Sequence, residues 1–242
     1  LHCFDADKIK GGKIVVKTVA EGTTFVTLDE VERKLSDKDL MICNTEEPMC
    51  IAGVFGGLDS GTTEQTVDVF LESAYFNPTW VRKTARRHGL STDSSFRFER
   101  GIDPNGTIYA LKEAALLVQE LAGGTISSEI KDNYPAPIAD FTVELNYEKV
   151  HSLIGKTIPV ETIKSIVTSL EMKIVNETPE SLTLQVPPYR VDVQRDCDVV
   201  EDILRIYGYN NVEIPTTLKS SLTTKGEVDY SQKLQNLISE QL

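Results

Sequence analysis

Basic side chains are scarce: 25 lysines and arginines stand against 37 aspartates and glutamates in 242 residues, a formal net charge of −12. Sequence-blind affinity for nucleic acid comes mostly from cations on phosphates, so a free-standing binder of that kind is excluded, although a local basic patch is not. There is no apolar run of the roughly 18 residues a bilayer-spanning helix needs. No charged-then-apolar leader follows Leu1, so no secretory signal is expected. The four cysteines, Cys3, Cys43, Cys50 and Cys197, make no C-x-x-C pair and lack zinc-finger spacing. They read as reduced thiols of a cytoplasmic protein. Internal repeats and low-complexity segments are absent as well. The first residue is not Met and an amphipathic pattern breaks off at Leu242, so the chain reads as a piece of a longer polypeptide. What remains, 40% hydrophobic and 26% charged residues, is the composition of one large globular domain or two modest ones.

The first hundred residues alternate short β-rich runs with turns. Lys13–Lys17, Thr24–Leu28, Met41–Cys43, Met49–Phe55 and Val67–Phe76 predict strands. Asn77-Pro78 opens a basic helix over Thr79–His88 that Gly89 closes. Asp103-Pro104 starts a helix whose Ile108, Leu111, Ala115, Val118 and Ala122 share a face, ended by Gly123-Gly124. Two prolines in Asn133–Asp140 mark a linker. Beyond it come helices near Tyr147–Ile154 and after Pro159, strands at Lys173–Val175 and Leu182–Val186, and a helix over Asp196–Tyr207. Helices followed by a two-stranded hairpin suggest a small winged-helix-like unit.

Four constellations carry candidate chemistry, each with a plainer alternative. Glu72 sits inside the apolar run VFLESAYF, either as an edge residue facing water or as a buried acceptor awaiting a donor. The glycine loop Gly53–Gly61 is a tight turn or a backbone cradle; it lacks the Lys-Ser/Thr of a nucleotide-binding P-loop. Arg82, Lys83, Arg86, Arg87, Arg97 and Arg100 oppose only Asp93 and Glu99, as a phosphate-facing patch or a solvated face with structural ion pairs. Asp198, Glu201 and Asp202 share a helix face, with Asp192 just before it. They read as an acidic first turn favourable to the helix dipole, or as oxygen ligands for magnesium. His88 and His151 read as surface or cap residues, and His2 has no local reading.

In order along the chain, LHCFDADKI, IAGVFGGLDSGTTEQT, FLESAYFNP, RKTARRHGLSTDSSFRFERGIDP and VPPYRVDVQRDCDVVEDILRIYGYNNV resemble the β subunit of bacterial phenylalanyl-tRNA synthetase. The resemblance implies an α+β fold: a mixed-sheet editing domain over residues 1–136, a small winged-helix-like domain over 137–215, and at 216–242 a linker entering the next module. It implies hydrolysis of tyrosine mischarged onto tRNA(Phe), with pocket positions at His2, Gly53, Gly56, Glu72, Thr92 and Ser94. Glu72 would accept a hydrogen bond from the tyrosine phenol, the glycine backbone would hold the substrate, and Thr92 and His2 would orient it or a water. The family commonly has alanine at the Ser94 position. The resemblance further implies magnesium on Asp192, Asp198, Glu201 and Asp202, shared with an α subunit, and a full assembly of α2β2 form. Asp202 is often glutamate in the family. ATP-dependent aminoacylation would lie in the α subunit. The alternative function is a non-catalytic RNA- or protein-binding structural module.

Overall fold

The computed structural model of the chain describes residues 1–214 and 227–241. Two hydrophobic cores organise it. The first gathers Phe4, Phe25, Leu35, Met41, Ile42, Ile51, Phe76 and Phe98; the second gathers Leu145, Val150, Ile158, Ile163, Leu182, Leu184 and Ile203. Each such side chain contributes about 1.5–3 kcal/mol when removed from water.

Around the first core, β2 (Val15–Thr18), β5 (Leu40–Cys43), β6 (Pro48–Ile51) and β7 (Phe55–Gly56) form a four-stranded antiparallel sheet in the order β2-β5-β6-β7. Two antiparallel pairs flank it: β1 (His2–Asp5) with β8 (Val69–Glu72), and β3 (Thr24–Val26) with β4 (Glu32–Lys34). The strand expected over Val67–Phe76 is therefore shorter and stops at Glu72, and the run Met49–Phe55 is broken by a turn at 52–54.

The helices begin and end where their caps dictate. In α1 (Pro78–His88) the Asn77 side chain accepts from the Thr79 amide at 3.0 Å, Pro78 occupies the first turn, and Gly89 closes the helix at φ +64°. Thr92 caps α2 (Asp93–Phe98) through a reciprocal capping box with Ser95. The third helix, α3 (Thr107–Ala122), starts later than Asp103-Pro104 predicts. Asp103 Oδ1 accepts from the Asn105 amide at 2.9 Å instead, a turn that delays the helix. None of the α3 residues is buried: Leu116, Leu117 and Leu121 are exposed, and only β8 among the described elements makes substantial contact with it. The apolar face expected at Ile108–Ala122 is thus only half covered.

The second unit holds one element the sequence reading missed. Phe141–Asn146 forms a strand, β9, that pairs along its whole length with β11 (Ser181–Val186), itself paired with β10 (Lys173–Glu177). The expected two-stranded hairpin is a three-stranded antiparallel sheet in the order β10-β11-β9. Val143 and Leu145 point into the core while Thr142 and Glu144 face out, the alternation of a half-buried strand. Helices α4 (Tyr147–Ile154), α5 (Val160–Ser169) and α6 (Asp196–Tyr207) cover the sheet's inner face. Residues 216–226 of the expected linker lie outside the described residues; α7 (Glu227–Gln241) follows. No helix among the described residues is long and apolar enough to cross a membrane.

His88 differs from its expectation. It is not a surface cap: its side chain is 5% exposed, and Nε2 lies 2.7 Å from Asp39 Oδ2. Asp39 is fully buried and also accepts from the Ser36 amide at 2.8 Å, Thr84 Oγ1 at 2.9 Å and the Arg87 guanidinium. This cluster fastens α1 to the turn before β5. His151 is half-buried, with Nε2 3.0 Å from the Ile158 carbonyl.

Candidate functional site

The β1–β8 register sets His2 directly opposite Glu72. Residues directly opposite on an antiparallel pair project to the same face, so the imidazole and the carboxyl point together to one side. On that side is a cavity of about 220 Å³, lined by both residues and by Leu28, Cys50, Phe76 and Phe98. The loop between β6 and β7 and the N-terminus of α2 complete its wall through Gly53, Val54, Gly56, Thr92 and Ser94.

Two polar atoms here are buried with no hydrogen-bond partner: Glu72 Oε1 and His2 Nε2. Burial raises the Glu72 carboxyl above the ordinary glutamate range and lowers the His2 imidazole below the ordinary histidine range. Both shifts have the same physical cause, the cost of holding charge away from water. The Cys50 thiol is pushed up as well, by burial first and by the nearby Glu72 charge second. A buried polar group without a partner costs about 1–3 kcal/mol, so two in one cavity mark a place prepared for a ligand's polar atoms.

The glycines contribute absence of side chain. Gly53 turns the chain at φ +68°, and a Cβ there would lie 2.9 Å from Phe76 and 3.1 Å from Val81. A Cβ on Gly56 would lie 2.8 Å from His2 Cε1, closing the space the ring occupies. A Gly53→Ala variant is accordingly expected to lose about 2 kcal/mol or more of stability in chemical denaturation, from strain and collision together. Gly22, with φ +80° but open space around it, serves as control: alanine there meets the strain without the collision and costs less.

The hydroxyls expected to meet the substrate are already engaged. Thr92 Oγ1 donates to the Val54 carbonyl at 2.7 Å and accepts from the Ser95 amide at 3.0 Å. Ser94 Oγ donates to the Gly53 carbonyl at 3.1 Å. Together they clamp the glycine turn onto α2. Thr92 is therefore a wall-building residue in this arrangement rather than a free hydroxyl beside a substrate. Phe76 and Phe98, with ring centroids 5.1 Å apart, form an apolar wall that the sequence reading missed; their apolar character was visible, but their meeting across 22 residues of chain was not.

The acidic helix face behaves differently. Asp198 accepts from the Arg195 guanidinium at 2.8 Å and from the backbone amides of Gln194 and Arg195, which hold its carboxyl down to about 2. Asp202 is clasped by Arg190 and, at 2.6 Å, by Arg205. Asp192 and Glu201 are exposed. Among the described residues no group of three His, Cys, Asp or Glu side chains gathers as a ligand set. Arginines neutralise the two best-placed carboxylates, so the residues as arranged do not fit a magnesium ion.

Of the basic patch, Arg87 serves Asp39, Arg97 faces Asp93 at 3.7 Å, and Arg100 pairs with Glu99 at 2.9 Å while its guanidinium stacks 3.5 Å from the Phe96 ring centroid. Arg82 and Arg86 are exposed with no ion pair among the described residues.

The cavity wall is shared by β8, a glycine turn and α2, all within the first half of the chain. Residues 1–123 match the B3/4 domain, and residues 143–209 match the tRNA synthetase B5 domain. The chain belongs to the B3/4 domain family. Along its whole length it is similar to the phenylalanine–tRNA ligase β subunits of Bacteroides fragilis and Bacteroides thetaiotaomicron, 81% identical over 242 residues in each case. That of Porphyromonas gingivalis is 56% identical over 243 residues. The match takes in all of this chain and 30% of each of these relatives. A solved N-terminal fragment of the phenylalanyl-tRNA synthetase β-subunit from Pyrococcus horikoshii matches at TM-score 0.44 and 16% identity, over 86% of this chain and 59% of that one.

Proposed function

We propose that this chain is the editing and B5 portion of a phenylalanyl-tRNA synthetase β subunit, and that its first unit hydrolyses tyrosine esterified in error to tRNA(Phe). The observation that carries the reading is the buried, unpartnered Glu72 Oε1 at the side of a small cavity walled by Phe76 and Phe98. Apolar walls suit an aromatic ring, and the orphaned oxygen suits a phenol. As carboxylate Glu72 accepts the phenolic O–H; as the acid that its burial favours, it donates to the phenolic oxygen. Phenylalanine offers neither partner and leaves the group unpaired. A site built around a substrate hydroxyl rejects the analogue lacking it by a factor on the order of 10⁴.

His2 Nε2 is the second unpartnered atom, and its lowered pKa makes the ring neutral at pH 7. A neutral imidazole in that place holds the ester carbonyl or the attacking water by one hydrogen bond. Thr92 and Ser94 keep the glycine turn in position for both. The exposed Arg82 and Arg86 on α1 suit the phosphates of the tRNA. An α subunit carrying the aminoacylation site, in an assembly of α2β2 form, belongs to the same proposal. Magnesium on the second unit would require Asp198 and Asp202 to exchange their arginines for the ion, and no step of the hydrolysis is routed through it.

The test is deacylation by the intact protein of tRNA(Phe) charged with tyrosine and, separately, with phenylalanine. Rapid loss of tyrosine with phenylalanine retained is the expected result. Equal rates on both would defeat the proposal.

A further inference from the structure

Gly101 leaves the end of α2 at φ +90°, and a Cβ there would lie 2.6 Å from Cγ1 of Val191 and 3.2 Å from its Cβ. Val191 belongs to the second unit, in the approach to α6. A side chain of one unit is thus seated on bare backbone of the other. We propose that Val191 is a positioning residue for the hydrolysis: from the second unit it holds the end of α2, and with it the Phe98 wall of the Glu72 cavity. The proposal rests on the hydrolytic reading above.

The first unit carries the contact straight to the site. Thr92 and Ser94 fasten the start of α2 to the glycine turn through the Val54 and Gly53 carbonyls. The other end of α2 finishes at Phe98, whose carbonyl accepts from the Gly101 amide at 3.1 Å. Only glycine suits position 101, because the left-handed φ and the approach of Val191 both exclude a side chain. A shift of Gly101 therefore reaches the Phe98 ring through one short turn.

The second unit holds Val191 firmly. Arg190 is clasped by Asp202 and donates to the Leu170 carbonyl at 3.2 Å. The Val193 amide donates to the Arg190 carbonyl at 3.1 Å, and Gln194 Nε2 donates to the Val191 carbonyl at 2.8 Å. Val193 is buried in the second core. The Arg190–Asp202 pair accordingly fastens the turn that presents Val191. The neighbouring Tyr189 phenol is held above the ordinary tyrosine range, first by its hydrogen bond to Glu171 and burial, and in smaller part by the charge of Asp103 across the junction.

The experiment uses two readouts on the intact protein and on its Val191→Ala and Val191→Thr variants. The first is hydrogen exchange of α2, which needs no substrate. Val191→Ala removes the seated methyls, so amides over residues 93–101 are expected to exchange several-fold faster, with α1 and α6 unchanged. The second is deacylation of tRNA(Phe) charged with tyrosine. Because Phe98 lines the cavity and touches no reacting atom in this scheme, Val191→Ala is expected to raise KM by about tenfold and leave kcat within about twofold. Val191→Thr keeps the branched shape and is expected to match wild type in both. Unchanged α2 exchange in Val191→Ala overturns the proposal. A raised KM without faster α2 exchange also does so, since it places the effect on the tRNA. Faster exchange with unchanged KM overturns the positioning role. If wild-type protein deacylates nothing, the hydrolytic reading fails, and α2 exchange still decides whether Val191 holds the helix.

Discussion

Glu72→Ala is expected to bring the ratio of tyrosyl to phenylalanyl ester hydrolysis from the order of 10⁴ to within about tenfold of unity. Two effects act together. Tyrosine loses its partner, so its phenol is buried unpaired, and phenylalanine no longer strands a polar group in the wall. Glu72→Gln retains an amide that donates to or accepts from the phenol, so its ratio falls between those of wild type and Glu72→Ala. Deacylation assays on the two charged tRNAs measure all three. The same group gives a stability signature. Its folded-state pKa is raised by burial, so its contribution to stability is fully present below the ordinary glutamate value near 4.5 and is lost as pH rises through the raised one. At neutral pH the ligand-free protein therefore bears an uncompensated cost, and Glu72→Gln is expected to melt higher there and to lose this part of the pH dependence. A Tm series from pH 4 to 8 checks it. A residue that weakens the empty protein while sharpening its choice of substrate marks a functional site.

Helix ends set by caps are legible in the sequence, whereas contacts set by distant partners are not, and even a local turn such as Asp103–Asn105 shifts the start of α3. Asn77 and Gly89 mark the ends of α1 because caps act within a few residues. Asp198, Glu201 and Asp202 share one helix as their spacing predicts, but spacing does not show that Arg195 takes up Asp198 and that Arg190 and Arg205 take up Asp202. Strand β9 carries clean alternation, hidden by the two prolines just upstream and by its partner β11 lying some 40 residues on. The site itself is the clearest case. Pattern alone left Glu72 open between water and a cavity, because the answer depends on β1, whose His2 pairs with it across 70 residues of chain. Asp39 and His88 are the same kind of contact, and neither has a local signature.

The Asp39 cluster supports the second large expectation. Burial alone would push its carboxyl upward, yet hydrogen bonds from the Ser36 amide, His88 and Thr84 hold its pKa below the ordinary aspartate range. The carboxylate is thus more stable here than in water. Asp39→Ala removes it and leaves Thr84, His88 and part of Arg87 without their acceptor in a buried place. Breaking a buried charge pair from one side costs about 3–5 kcal/mol, a large share of the stability of a domain this size. Asp39→Asn keeps an acceptor for the Ser36 amide and is expected to cost less. Because the folded pKa is depressed, the stabilisation is present above the ordinary aspartate value near 3.8 and is lost as pH falls through the lower, folded one. Wild-type and Asp39→Ala proteins should accordingly differ most in urea midpoint at neutral pH and converge in acid. The loss reaches the site through the chain itself. Asp39 anchors α1, and α1 runs through Gly89 into the Thr92 cap that holds the glycine turn beside Glu72. Asp39→Ala is therefore expected to reduce hydrolysis of the tyrosyl ester while leaving the preference for tyrosine in place, a split between rate and selectivity that separates a supporting residue from Glu72.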